Sequence, residues 1–114
     1  AAVPTAGRET YRAHAALAAE AFRAQGALEV VEAWGDDVPD GKLTSFPLAV
    51  QRRPDETVVF AWVRWPSREK RDAGMKAAMA DPRLSPETNP MPFDGARLIY
   101  GGFQVIVDAA GGRS

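Results

Sequence analysis

The 114-residue sequence contains no cysteine and only one histidine. The lack of cysteine excludes disulfide bonds, a thiolate nucleophile and cysteine-based zinc sites. A single histidine cannot build a multi-histidine metal centre, so we expect neither a bound metal nor a cofactor. No apolar run approaches the roughly 18 residues that a membrane span needs. The first residues also lack the basic-then-apolar pattern of a signal peptide.

The sequence has almost no excess of charge of either sign. It carries 14 Lys and Arg residues against 15 Asp and Glu residues, for a formal net charge of -1. This balance gives no electrostatic case for binding nucleic acid or an anionic membrane surface. The 46% hydrophobic and 25% charged content is that of an ordinary globular domain. We therefore expect one cytoplasmic domain of a bacterial type, without a nucleic-acid or membrane partner.

Two segments have the spacing of helices. Tyr11, Ala15, Ala18 and Phe22 recur at 4-3-4 intervals, which places them on one stripe of a helix that starts at Thr5 or Thr10 and ends near Gly26. A second helix is predicted from Ser67, as its N-cap, through Met79 to Asp81-Pro82, because proline disfavours helix in the residue before it.

Four segments are predicted to be strands: 27–35, 43–50, 57–65 and 96–108. Pro47 weakens the second of these, which favours an edge position or a break. Gly101-Gly102 lies inside the last predicted strand and not between a strand and a helix, so it does not form a nucleotide-binding loop. A bulge or a close backbone approach explains this glycine pair better.

The chain begins with Ala1-Ala2-Val3 before Pro4, which we interpret as the end of a strand whose beginning is absent. The resulting order of elements predicts an α+β domain on the ferredoxin-like βαββαβ plan, with an antiparallel sheet. The domain spans residues 1–108 with a truncated first strand, and residues 109–114 form a C-terminal tail.

The two strongest predicted strands, 57–65 and 96–108, are apolar on both faces. Two helices can cover only one face of the sheet, and 114 residues leave no third layer. We therefore expect a second copy of the chain to cover the other face, giving a homodimer. The alternative is an amphipathic sheet with incidentally exposed apolar side chains.

Four separated segments resemble the YbaA-like bacterial family, which is domain of unknown function 1428. They are Glu32-Ala33-Trp34-Gly35-Asp36-Asp37-Val38-Pro39-Asp40-Gly41-Lys42, Trp65-Pro66-Ser67-Arg68-Glu69, Met79-Ala80-Asp81-Pro82-Arg83 and Met91-Pro92-Phe93-Asp94-Gly95. The resemblance extends from Pro4 to Asp108. It implies a dimeric α/β barrel of ferredoxin-like protomers, and it implies no known activity and no catalytic residues.

His14 and Glu32 are the first candidates for chemistry. His14 is the only side chain with an ordinary pKa near neutrality, so it could act as a base or contact a ligand; it could equally be a boundary residue of the first helix. Glu32 shares a strand face with apolar residues, and burial there would raise its pKa and suit it to proton transfer. The alternative is an ion pair between Glu32 and Arg97 or Arg64.

Large aromatic side chains in the strands could form the walls of a pocket. The candidate ligand-pocket residues are His14, Glu32, Trp34, Trp62, Arg97 and Tyr100. The aromatic residues could instead be core and interface anchors, and strand alternation points Arg97 and Tyr100 in opposite directions. Two functions remain open: a small-molecule-binding or cofactor-free enzyme-like protein, and a structural or regulatory homodimer without catalytic activity.

Overall fold

The computed structural model describes residues 1–110, which fold as an α+β domain. A three-stranded antiparallel sheet is combined with two long helices and one short helix. The elements are β1 (Ala2–Pro4), α1 (Arg8–Ala24), β2 (Glu29–Trp34), α2 (Phe46–Ala49), β3 (Glu56–Arg64) and α3 (Arg68–Met79), with single 3-10 turns at Thr5–Gly7, Pro82–Leu84 and Gly95–Arg97. Within residues 1–110, none of the helices is both long and apolar enough to cross a membrane.

The sheet is organised around β3, which lies between β1 and β2. β2 pairs with β3 over six positions, from Glu29 opposite Arg64 to Trp34 opposite Val59. β1 pairs only with the first part of β3, from Ala2 opposite Val58 to Pro4 opposite Glu56. The predicted strands 27–35 and 57–65 are thus confirmed to within two residues.

Helix α1 covers one face of this sheet with the stripe predicted from the sequence. Tyr11 and Ala15 are buried and pack against Val3 of β1 and Val59 of β3. The helix ends just before Gly26, whose φ of 104° lies in the left-handed region that glycine tolerates best. This face of the sheet, which we call the helix face, contains the main core of the domain.

Helix α3 begins where the sequence predicts. The Ser67 hydroxyl accepts a hydrogen bond from the Lys70 backbone N–H, at 3.2 Å, and so caps the first turn. Gly74 faces the ring of Trp65, where a Cβ atom would overlap the indole carbons. The glycine therefore allows the helix to approach the end of β3 closely.

The predicted strand over 43–50 is wrong, because Phe46–Ala49 forms the short helix α2. The Ser45 hydroxyl accepts a hydrogen bond from the Leu48 backbone N–H, at 3.0 Å, and Pro47 occupies the first turn. Proline is well tolerated there, because the amide that it lacks would have no helical partner. The residue that weakened the strand prediction is thus part of a helix start.

The predicted strand over 96–108 is not formed either. Gly95–Arg97 is a 3-10 turn, and residues 98–110 have no regular secondary structure. Several of their apolar side chains are largely in solvent, including Phe103 at 88% and Ile106 at 88% exposure. Of the predicted tail 109–114, residues 111–114 lie outside the described part of the chain.

The face of the sheet opposite α1, which we call the open face, carries a row of aromatic side chains. Phe60 stands edge-on to Phe46 of α2 with ring centroids 5.7 Å apart, and Trp62 lies 5.9 Å beyond Phe60. Val58, Val50 and Ala2 form a small buried cluster next to this row. The three aromatic side chains nevertheless keep about half of their surface in water.

Candidate functional site

A tyrosine–carboxylate pair joins α1 to β2 on the helix face. The hydroxyl of Tyr11 donates a hydrogen bond of 2.7 Å to Oε2 of Glu32. Tyr11 is on the buried stripe of α1, and its exposure is only 8%. Glu32 alternates with Val31 and Ala33 along β2 and therefore points to the helix face. The two periodicities, of helix and of strand, bring these polar ends together beside the core.

The surroundings of this pair shift both of its pKa values upward. Partial removal of the Glu32 carboxyl from water raises its pKa, and this outweighs the hydrogen bond from Tyr11, the field of His14 and the Ala1 ammonium group, all of which lower it. Desolvation also raises the pKa of Tyr11, and the hydrogen bond to Glu32 adds to that shift. Glu32 is exposed when the whole residue is considered, whereas its carboxyl group is partly buried where it accepts the hydrogen bond from Tyr11. Glu32 is thus a more basic carboxylate than a free one.

His14 lies on the same helix, nearly one turn after Tyr11, and its ring is held by the loop that follows α3. Its Nδ1 is 2.9 Å from Oδ1 of Asn89. The amide nitrogen of Asn89 donates to the carbonyl oxygens of His14 and Arg83, at 3.1 and 2.9 Å. These two contacts fix the amide orientation of Asn89 and leave its oxygen facing the imidazole. Nδ1 must therefore be the donor, and in the neutral ring Nε2 is the acceptor.

Aromatic rings surround the polar groups. Phe93 lies 5.9 Å from the Tyr11 ring and 6.3 Å from the His14 ring, and Trp34 lies 6.4 Å from Tyr11. The guanidinium of Arg8 is 5.7 Å from the Trp34 ring centroid, in a cation–π arrangement. We call the set Tyr11, His14, Glu32, Trp34 and Phe93 the Tyr11 cluster. It combines two proton acceptors with an apolar rim.

Three of the six candidate residues predicted from the sequence therefore lie together: His14, Glu32 and Trp34. Trp62 lies on the open face, where its Nε1–H donates to Oε1 of Glu29 at 2.9 Å. Tyr100 is 92% exposed, in the irregular segment after the Gly95–Arg97 turn. Neither residue is part of the Tyr11 cluster.

Arg97 takes part in a different interaction. Its two terminal nitrogens donate to the two carboxylate oxygens of Glu56, at 2.7 and 2.6 Å, and its Nε–H donates to Asp94 at 3.0 Å. Both side chains of the Arg97–Glu56 pair are almost fully buried. Arg97 lowers the pKa of Glu56 to about 2. The pair ties the turn at Gly95–Arg97 to the start of β3.

Within the protomer, the alternative that Glu32 forms an ion pair with Arg97 or Arg64 is wrong; a pair across a dimer stays a prediction. Arg97 pairs with Glu56, and Arg64 pairs with Asp108 at 2.6 Å. Instead, Glu32 accepts a hydrogen bond from the neutral hydroxyl of Tyr11. Its carboxylate is therefore stabilised less than a salt-bridged one would be.

Tyr11, Asn89 and Phe93 belong to the site although the sequence did not single them out as functional. Tyr11 was visible only as a member of the apolar stripe. Asn89 and Phe93 lie in the proline-rich connection 81–92 and just after it, which has no periodicity to indicate what it contacts. Asn89 is buried, with an exposure of 7%, and this burial depends on how the loop folds back onto α1.

Two further features bear on metal binding and on ligand binding. Within residues 1–110, no group of three or more His, Asp and Glu side chains is arranged to hold a metal ion. A shallow groove of about 190 Å³ lies between α2 and the open face, lined by residues such as Val38, Phe46 and Phe60. Its volume is below the range of about 300–1,000 Å³ that is typical of ligand pockets. Trp34 of the Tyr11 cluster lines it, whereas Tyr11, His14 and Glu32 do not.

Comparison with known proteins places the chain in a family for which no activity is established. A family model described as "Protein of unknown function (DUF1428)" matches residues 1–95. The chain is 50% identical over 107 residues to the uncharacterized protein YbaA of Escherichia coli K12, and the match covers 94% of this chain and 92% of that protein. The YbaA protein of Shigella flexneri matches with the same identity and coverage. The matched region, residues 1–95, spans the positions at which the Tyr11 cluster lies.

Proposed function

The chain belongs to the DUF1428 family of proteins of unknown function, which has no established activity, and we propose from its own side chains that it binds a small molecule at the Tyr11 cluster. The observation that supports this proposal best is the hydrogen bond between Tyr11 and a carboxyl group whose pKa is raised. Structural carboxylates are usually paired with a cation, as Glu56 is. A basic carboxyl beside an imidazole and an aromatic rim suits ligand recognition and proton transfer.

The geometry also indicates the class of ligand. Glu32 and the Nε2 atom of His14 are both hydrogen-bond acceptors in this arrangement. A matching ligand would carry hydroxyl or amine donors on an apolar or aromatic body, which Trp34 and Phe93 would contact. If the protein catalyses a reaction, Glu32 would accept the proton and the Tyr11 hydroxyl would stabilise the ionised carboxylate. No cofactor enters this scheme.

A thermal-shift screen with small hydroxylated and aminated metabolites would test this proposal. Compounds that stabilise the wild type should bind the Glu32→Gln variant at least tenfold more weakly, because hydrogen bonds to a charged group are worth about 1.5–3 kcal/mol. Glu29→Gln is a matched control, since Glu29 is on the same strand but on the open face. His14→Ala should weaken binding of the same compounds.

Two results would contradict the proposal. The first is a set of ligands whose shifts are unchanged by both Glu32→Gln and His14→Ala. The second is a broad panel in which no compound raises the melting temperature of the wild type at millimolar concentration.

Binding should also strengthen as the pH rises through the Glu32 pKa, because the ionised carboxylate is the hydrogen-bond acceptor for the ligand.

We propose as a second function a homodimer that is closed by the open face, without chemistry of its own. The supporting observation is the row Phe46, Phe60 and Trp62, which leaves about half of each side chain in water. In this proposal the protomer follows the ferredoxin-like plan, and two copies form a dimeric α/β barrel in the bacterial cytoplasm. Sheet-on-sheet packing would bury the aromatic row in an interface of ordinary composition.

Light scattering tests the dimer independently of any ligand. Wild-type protein should have twice the protomer mass at micromolar concentration, and Trp62→Asp should give a folded monomer, because it would place a charge in the centre of the interface. Leu43→Asp is the control, since Leu43 is 99% exposed and lies outside the aromatic row. A monomeric wild type, or a dimer that is unaffected by Trp62→Asp, would contradict the proposal.

A further inference from the structure

Helix α1 carries three polar side chains in a row on the side of the Tyr11 cluster. Arg8, Tyr11 and His14 follow one another at three-residue intervals, so they are neighbours on the helix surface. Arg8 contacts Trp34 and Tyr11 contacts Glu32, so α1 and β2 run in opposite directions where they meet. The row therefore has a cation at the Arg8 end, and the hydrogen-bond acceptors of the cluster lie toward the His14 end.

The guanidinium of Arg8 is held by an aromatic ring and not by an acid. It lies 5.7 Å from the centroid of the Trp34 ring, and within residues 1–110 its side chain forms no salt bridge and no hydrogen bond. The carboxylate next to it in the sequence, that of Glu9, is paired with Arg12 at 2.9 Å. Arg8 is also exposed, so a ligand can reach it.

This arrangement leaves the donors of Arg8 available for an anion. A cation–π contact uses the charge of the guanidinium group and not its N–H groups. Arginine has five N–H donors in a planar fork that matches the two oxygens of a carboxylate. Trp34 thus restricts the position of the guanidinium beside the cluster, while the N–H groups still have hydrogen bonds to make.

We propose that Arg8 is a specificity-determining residue, which binds an acidic group of the ligand at the Tyr11 cluster. This inference rests on the proposed function and narrows its class of ligand to aromatic acids that also carry a hydroxyl or amine donor. The acidic group would bind to Arg8, and the donor would bind to Glu32 or to Nε2 of His14. The aromatic body would lie between them, against the apolar rim.

The spacing of the row indicates the size of such a ligand. A helix rises about 1.5 Å per residue, so Arg8 and His14 are separated by about 9 Å along α1. Arg8 and Tyr11 are separated by about half of that distance. A single benzene ring with a short acidic side chain has a comparable length. The row therefore suits a one-ring acid better than a larger polycyclic compound.

Pairs of acids and neutral amides would test the role of Arg8, because an arginine that only packs on a tryptophan would not distinguish between them. The probes are para-hydroxybenzoate, para-hydroxyphenylacetate and para-hydroxyphenylpropionate, each with its carboxamide. Isothermal titration calorimetry should show that at least one acid binds the wild type at least tenfold more tightly than its amide, because hydrogen bonds between charged groups are the stronger ones.

Three variants assign this preference to its source. Arg8→Gln should remove the preference for the acid. Glu32→Gln should weaken the acid and the amide alike, because both carry the same hydroxyl donor. Arg68→Gln is the matched control, since it removes the same charge from a side chain of α3 that is 80% exposed, and it should leave the preference unchanged.

The outcomes distinguish this inference from the proposed function. A preference for the acid that Arg8→Gln abolishes and Arg68→Gln preserves would support it. Equal binding of acid and amide by the wild type, or a preference that persists in Arg8→Gln, would overturn it, and the proposed function would still stand if Glu32→Gln weakened binding. Affinities that Glu32→Gln leaves unchanged would contradict the proposed function and this inference together. If none of the six compounds binds at millimolar concentration, the inference is overturned.

Discussion

Removing the charge of Glu56 should destabilise the domain in a pH-dependent way. Glu56 and Arg97 form a two-point ion pair at 2.6 and 2.7 Å, and both side chains are nearly buried. The variant Glu56→Gln keeps the shape of the side chain and removes its negative charge. It leaves Arg97 buried with only Asp94 as a charged partner.

The size of the effect follows from the pKa of Glu56. The pair lowers this pKa from 4.5 to about 2. At about 1.4 kcal/mol per pKa unit, the ionised carboxylate contributes up to about 3 kcal/mol to folding. The amide oxygen of the variant can still accept a hydrogen bond from Arg97, so we expect Glu56→Gln to lower the free energy of unfolding by about 2 kcal/mol at pH 7.

The pH dependence distinguishes the ion pair from simple packing. A carboxyl with a lowered folded-state pKa stabilises the fold fully above its unfolded-state pKa, and the stabilisation is lost as the pH falls through the folded-state value. The difference between wild type and Glu56→Gln should therefore be constant above about pH 5 and should shrink between 4.5 and about 2. Urea unfolding at several pH values in this range would measure it.

A matched control and a contrary result complete this experiment. Asp40→Asn removes a carboxylate that is 83% exposed and 3.8 Å from Arg52, and it should change stability by less than about 0.5 kcal/mol. A stability loss in Glu56→Gln that is equally large at pH 7 and pH 2.5 would refute the electrostatic explanation. A loss no greater than that of Asp40→Asn would refute the importance of the pair.

Three further changes should have measurable effects on stability. Asn89→Ala removes two hydrogen bonds to backbone carbonyls and the partner of His14, and should cost about 2 kcal/mol by urea unfolding; the exposed neighbour Thr88→Ala should cost less than about 0.5 kcal/mol. Gly74→Ala should lower the melting temperature although alanine favours helix, because the added methyl group overlaps the Trp65 ring; a stabilised variant would show that the ring can move away. Ser67→Ala should cost about 1 kcal/mol, and an unchanged melting temperature would mean that the cap of α3 contributes nothing.

Local patterns predicted the two long helices of this domain, whereas two of the four predicted strands, 43–50 and 96–108, are not formed. The stripe of Tyr11, Ala15 and Ala18 predicted the buried face of α1, and Ser67 predicted the start of α3. Both depend on neighbours within a few residues, so the sequence contains the necessary information. The segment 43–50 contained the Ser45 cap and Pro47 of a helix start, but its apolar residues favoured a strand prediction over that signal.

The strand predicted over 96–108 shows a different limit. Its residues alternate as a strand requires, but a strand also needs a neighbour, and no backbone hydrogen bond within residues 1–110 joins residues 98–108 to another strand. The aromatic candidates show the same dependence on context. Trp34 and Trp62 are both in paired strands, and the register of β2 on β3 places them on opposite faces.

The sequence by itself determined the class of the domain, its two long helices, its two long paired strands and the shortage of groups for metal or thiol chemistry. These follow from composition and from periodicities of a few residues. Only the tertiary structure decided that Tyr11 meets Glu32, that Asn89 orients His14 and that Arg97 pairs with Glu56. Each of these contacts joins residues at least 21 positions apart. Such contacts depend on strand register and on how helices and loops dock, which no local pattern specifies.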